Sequence, residues 1–123
     1  MLEVYSTDLD ITAETFIPFQ NVSLKKGCTA ELSGTSTIEL NKCGVYMVSV
    51  DASSSVATTL QLYKDGIALA NAQSTGTSPA FTALVQVSEN NSCCPCKSGV
   101  SLQLMNTTAA VLANCNLVVT KVI

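Results

Sequence analysis

Short runs in which apolar and polar residues alternate, broken by Gly, Asn, Asp and Ser, constrain this chain more than any other feature. A period of two places successive side chains on opposite faces of an extended strand, so each run must lay one face on a core. The clearest is Gly44-Val45-Tyr46-Met47-Val48-Ser49-Val50-Asp51, which turns Tyr46, Val48 and Val50 one way and Ser49 and Asp51 the other. Thr58 to Lys64 follows, with Leu60 and Leu62 inward, and closes on Asp65-Gly66. Asp-Gly between two such runs is a hairpin signal, because both turn residues must accept positive φ. Ile67 to Gln73 is therefore the predicted return strand.

Further along, Phe81, Ala83, Val85 and Val87 alternate with Thr82, Leu84, Gln86 and Ser88. Val100, Leu102 and Leu104 alternate with Ser101, Gln103 and Met105, and a last strand is expected over Asn116 to Ile123. Leu2 to Tyr5, Leu9 with Ile11, Ile17 with Phe19, Cys28 to Leu32 and Thr37 to Leu40 are shorter candidates. The Ser- and Thr-rich stretches Ser33 to Thr37, Ser53 to Thr59 and Ser74 to Pro79, and the segment Asn90 to Gly99, read as loops. Thr107 to Asn114 fits a turn of helix or a connecting loop. Val, Ile and Thr supply 32 of 123 residues, and no convincing helix pattern interrupts them. The expectation is all-β: one domain over residues 1–123, a jelly-roll sandwich of eight to ten antiparallel strands. Its expected core is Tyr46, Val48, Val50, Leu60, Leu62, Phe81, Val85, Val100 and Leu102.

Charge then removes whole classes of function. Six Lys, no Arg, no His and nine acidic residues give a net charge of −3. A surface that releases counterions from phosphates is missing, so nucleic acid is not an expected partner. Without His there is no Ser-His-Asp triad and no imidazole base, and without Arg no bidentate carboxylate clamp. An enzyme is not expected. No apolar stretch approaches a membrane span, and the acidic start Met1-Leu2-Glu3 lacks the basic opening of a secretory signal. The expected setting is synthesis in a cytoplasm without a signal peptide.

The block Asn41-Lys42-Cys43-Gly44-Val45-Tyr46-Met47-Val48-Ser49-Val50, followed by Leu60-Gln61-Leu62-Tyr63-Lys64-Asp65-Gly66, resembles the centre of jelly rolls related to the globular heads of complement and tumour necrosis factor. The C-terminal domains of collagen-like spore-surface glycoproteins share that pattern, as do many phage surface proteins. From Leu2-Glu3-Val4-Tyr5 to Val118-Val119-Thr120-Lys121 the chain is also similar to small proteins encoded beside virion genes in phages and prophages of gut Firmicutes. The resemblance implies a homotrimer, with one sheet of each jelly roll laid against its neighbour. Composition agrees: charged residues make up 12%, against about 25% in a typical soluble domain. Met47, Leu84 and Met105 are apolar at positions that alternation turns outward, which makes them candidates for the threefold interface. Coverage of both faces within one monomer is the other reading of the same residues.

Six cysteines, Cys28, Cys43, Cys93, Cys94, Cys96 and Cys115, are the remaining signal. An even count in a small β domain suggests disulfides, and all six are candidates. A cytoplasm would keep them reduced, whereas a virion protein folds reduced and oxidises after release. Cys93 and Cys96 stand as C-x-x-C, with Cys43 and Cys115 as weak completing zinc ligands, so disulfides, free thiols and metal all stay open. Asp8 and Asp10 offer two carboxylates where calcium takes six to eight oxygens. Glu31 and Glu39 can be posed as an acid and base pair, but solvated surface describes them better. Asn21-Val22-Ser23, Asn90-Asn91-Ser92 and Asn106-Thr107-Thr108 match the glycosylation acceptor and read as incidental. No catalytic residue and no cofactor is expected.

The functional expectation is a non-enzymatic structural protein on a phage virion, a capsid decoration or head-fibre head whose partners are other virion proteins. A tail-tip module that binds a receptor or host-surface glycan is the second reading, and a spore or cell-surface adhesin head the third.

Overall fold

The computed structural model describes residues 1–27, 29–87 and 100–123. Eleven strands run through them: β1 (Leu2–Ile11), β2 (Thr15–Phe16), β3 (Asn21–Lys25), β4 (Ala30–Ser33), β5 (Thr37–Leu40), β6 (Gly44–Ser54), β7 (Thr58–Lys64), β8 (Ile67–Gly76), β9 (Ala80–Val87), β10 (Val100–Asn106) and β11 (Ala110–Lys121). The front sheet has the order β3-β1-β11-β6-β9, and the back sheet the order β4-β5-β10-β7-β8, with β2 also on β10. Every pairing is antiparallel. The result is a jelly-roll sandwich, which is how antiparallel chains close two sheets over one core.

That core follows the alternation. Tyr46, Val48 and Val50 from the front sheet meet Leu60, Leu62, Leu102 and Leu104 from the back, all buried. Tyr46 fits there because its hydroxyl donates to the Lys42 carbonyl at 2.8 Å, so a polar tip is satisfied inside the sheet end. Val85 and Val100 are buried as well. Phe81 departs from expectation: it pairs with buried Val50, yet it sits on the edge strand β9 and is only half-buried against the core rim.

The Asp65-Gly66 signal is realised, with φ of 51° and 81° at the two turn residues between β7 and β8. The turn is tied to the neighbouring strand, since the Asp65 carboxylate accepts the Ser101 N–H at 2.9 Å. The last strand is longer than Asn116 to Ile123, opening at Ala110 instead of a loop or helical turn. Its inward phase breaks midway: Ala110 and Leu112 are buried, then Cys115, Leu117 and Val119. The register against β6 slips between Leu112 and Asn114, and Asp8 on the adjacent β1 carries φ of 50° at the same level. A bulge of this kind flips the side-chain phase, and that hides the strand from a period-two reading.

The polar stretches expected as loops do turn, at residues 34–36, 55–57 and 77–79, but the strands reach further into them than expected. β6 runs to Ser54 and β8 to Gly76. A hydroxyl pair holds the end of β8 to the start of β7, Thr59 with Thr75 at 2.6 Å, so a cross-strand hydrogen bond stands in for apolar alternation there. β3 was not expected either, because all five of its residues are exposed. No helix among the described residues is long and apolar enough to cross a membrane.

Candidate interaction face

Register places the outer side chains of the front sheet in rows. Met47 lies between Thr120 and Leu84; Ser49 lies between Val118 and Thr82, with Glu3 beyond Val118; Asp51 lies between Asn116 and Ala80, with Tyr5 beyond Asn116. Val45 stands opposite Gln86 at the end of β6. Leu84 is 62% exposed and Met47 38%, side by side on neighbouring strands. Around them Val45, Val118 and Tyr5 are half-buried. The middle of this face is therefore aliphatic, and apart from Ala80 and two acidic residues its remaining positions are Ser, Thr, Asn and Gln.

Two carboxylates interrupt it. Asp51 Oδ1 accepts from Asn116 Nδ2 at 2.9 Å, and Glu3 Oε1 accepts from Ser23 Oγ at 2.6 Å. Neither bond comes from a cation, and the rows of this face contain no Lys. The described lysines Lys25, Lys26, Lys42, Lys64 and Lys121 gather at the end of the sandwich where β3, β7 and β11 finish and β6 begins. Asp8, Asp10 and Glu14 lie toward the other end, near the start of β11.

Met105 does not join Met47 and Leu84. It is on the back sheet, opposite Phe16 and Gln61, and half-buried. Alternation says that a residue points outward but is silent about which sheet it leaves. The ring of Phe16 meets Tyr63 edge-on at 5.5 Å and 85°, forming an aromatic pair on this outer back face. Sequence reading missed the pair because its members come together only through β2 lying on β10. Beside it, the Gln61 side-chain amide donates to the carbonyls of Leu69 at 2.5 Å and Ala72 at 3.1 Å, filling a wide bulge in β8.

The cysteines divide. Cys43 is disulfide-bonded, which removes it from the candidate zinc ligands. Cys115 is a free thiol, fully buried on the inner side of the front sheet, so it is not a disulfide partner. Burial, and then the negative charge of Asp51, push its pKa up to about 12. A thiol held neutral in this way is a poor nucleophile and a poor metal ligand. Cys28, Cys93, Cys94 and Cys96, and the segment Asn90 to Gly99, lie outside the described residues. No group of three or more His, Cys, Asp or Glu among the described residues is placed to hold a metal ion.

Glu31 and Glu39 stand directly opposite each other across β4 and β5, and Glu31 takes an ion pair from Lys25 at 3.7 Å. Asn106 is buried, with its amide donating to the Thr108 and Thr12 carbonyls and its oxygen accepting from Thr58 Oγ1 at 2.6 Å. Its acceptor motif is thus a piece of internal scaffolding, whereas Asn21 is exposed on β3.

No protein-family model matches this sequence, and no curated protein matches it. Solved structures do. Rabbit GITRL is similar over 100% of this chain and 95% of its own, with a TM-score of 0.65 and 10% identity. The PRD1 vertex protein P5 is similar over 99% and 96%, with a TM-score of 0.68 and 12% identity. The globular domain of zebrafish complement 1qA protein is similar over 95% and 94%, at 0.68 and 12%. These likenesses define the class by fold: a jelly roll like those of tumour necrosis factor and complement heads.

Proposed function

We propose that this chain is a non-enzymatic structural protein of a phage virion, a homotrimeric capsid decoration or head-fibre head displayed on the particle surface. The observation that carries this reading is the outer face of the front sheet, where Leu84 and Met47 stand exposed among Val45, Val118 and Tyr5. A second copy of the chain is the occupant that suits it. The sequence resemblance implies threefold packing of one sheet on its neighbour, and so low a charge content leaves little else to keep such a face in water. A shared fold with a phage vertex protein supports the virion setting. The chain is then made in the host cytoplasm and functions outside it, so a disulfide at Cys43 would form on release. Light scattering on the purified protein tests assembly: a trimeric mass at micromolar concentration is expected, and a monomeric mass rejects it. Electron microscopy of particles tests location, since absence of density of this size from capsid and tail overturns the virion reading.

A second reading has an observation of its own. The Phe16–Tyr63 pair on the outer back face, with the half-buried Gln103 opposite Tyr63, is the aromatic-plus-amide surface on which sugars stack. A tail-tip module that binds a host-surface glycan would use it. Binding on a glycan array that is lost in Tyr63→Ala favours this reading; no binding to any glycan dismisses it.

A further inference from the structure

The geometry points to a slow chemical modification site at the Asp65-Gly66 turn, where a clasp on β10 holds back conversion of Asp65 to an isoaspartyl residue. The step needs no reactant but water. The Gly66 backbone nitrogen attacks the Asp65 side-chain carboxyl carbon: an N–C bond forms, a C–O bond breaks, and the amide proton and the acid's hydroxyl leave together as water. The five-membered imide then takes water back. Where it opens at the Asp65 main-chain carbonyl, the chain runs on through the side-chain carbon and the α-carboxylate is left free. Glycine offers this attack its least hindered nitrogen, and a Cβ placed at Gly66 would meet no atom within 4 Å among the described residues beyond its chain neighbours. Both turn residues are exposed, so water reaches them. The chain's other aspartates lack such a neighbour: Asp8 precedes Leu9, Asp10 precedes Ile11, and Asp51 precedes Ala52.

The native turn withholds the step. Positive φ at both residues, 51° and 81°, makes it the mirror image of a type I turn, whose first central residue has ψ of about 30°. Ring closure needs the Gly66 nitrogen eclipsed with the Asp65 Cβ about the Cα–C bond, and at this ψ it lies on the far side. Asp65 must therefore rotate, and Ser101 opposes that from both directions. The Asp65 N–H donates to the Ser101 carbonyl at 2.9 Å, and the Ser101 N–H donates to Asp65 Oδ1 at 2.9 Å, with a longer hydroxyl contact at 3.3 Å. Conversion then runs only through opened hairpin tips. Its product cannot restore the clasp: an extra backbone carbon enters a two-residue turn whose dihedrals fix the β7–β8 register, and the carboxylate that Ser101 binds moves. The turn is an ageing point of the back sheet, and it requires no assembly.

Incubation of the full chain in warm neutral buffer, followed by digestion and chromatography of the Asp65 peptide, tests this. Isomerisation leaves the mass unchanged, which separates it from deamidation of any asparagine, and enzymatic methylation of the freed α-carboxylate identifies the product. In unfolding urea Asp65 should convert faster than Asp8, Asp10 or Asp51, and in the native chain at least about tenfold more slowly than in urea. Urea below the unfolding transition should speed conversion in step with exchange of the Ser101 amide, whose proton the carboxylate holds. Ser101→Pro removes that donor and should speed native conversion about tenfold, the worth of one hydrogen bond to a charged group. Leu117→Ala, a core change in the other sheet, should not. Another aspartate leading in urea overturns the site. Equal rates folded and unfolded, conversion that ignores Ser101 exchange, or Leu117→Ala acting as strongly as Ser101→Pro overturns the clasp. Should Ser101→Pro lose its cooperative melt, the wild-type urea series decides alone.

Discussion

The two outer faces of the sandwich use apolar residues in opposite ways. On the back face Met105 is half-buried beside its cross-strand partner Phe16, Phe16 meets Tyr63 edge-on, and Gln61 stitches the β8 bulge, so neighbouring side chains cover one another. On the front face Leu84 and Met47 stay exposed, and nothing among the described residues covers them. The lesson is that an outward hydrophobe calls for a partner only when no neighbouring strand brings a side chain against it. A two-residue strand is enough to change the answer.

The largest expected effects concern what the two sheets share. Leu62→Ala in the back sheet and Leu117→Ala in the front should each cost about 2–5 kcal/mol, because both side chains are fully buried and leave cavities. Urea unfolding checks this, and a cost confined to one sheet would break the picture of a common core. A difference beneath the two faces shows at high pH. Cys115, inside the front sheet, has its thiol pKa raised to about 12 from the model-compound value of 9.0. Its contribution to stability is fully present below the unfolded value and is lost as pH rises between the two. Over that window the wild type should lose up to about 1.4 kcal/mol per pH unit more than Cys115→Ala. Parallel alkaline profiles would show that the thiol is not held this way.

The faces themselves separate next. Met47→Glu with Leu84→Glu should weaken assembly about 100-fold or more while monomer stability moves by no more than about 0.5 kcal/mol. Scattering mass and thermal melting read the two quantities independently. Met105→Ala should do the reverse, costing about 1–2 kcal/mol of stability with assembly unchanged. Smallest is Gln61→Ala, which leaves the Leu69 and Ala72 carbonyls without their donor and should cost about 1 kcal/mol, read as faster hydrogen exchange confined to β8. Exchange that quickens on the front sheet as well would show that the two faces are not independent.

How much of this was legible follows the range of each signal. The Gly44 to Asp51 run, the Thr58 to Lys64 run and the Asp65-Gly66 turn could be read because neighbours along the chain set them, and so could most of the core. The start of β11 was lost because its phase flips between Leu112 and Cys115. β3 was lost because an all-exposed edge strand has no buried face to write a pattern, and the Ser- and Thr-rich end of β8 because a hydroxyl pair replaced an aliphatic one. Of the candidate site, Met47 and Leu84 fell together and Met105 fell away.

Sequence alone determined which residues turn inward and where the chain reverses, since a strand's period and a turn's dihedral demands are local. Tertiary structure alone decided which sheet each outward residue belongs to, that Cys115 is sealed as a neutral thiol, and that Asp51 and Glu3 share a face with Leu84 and Met47. Those depend on register between strands far apart in the chain, and register is chosen by the packing of the whole core rather than by any single run.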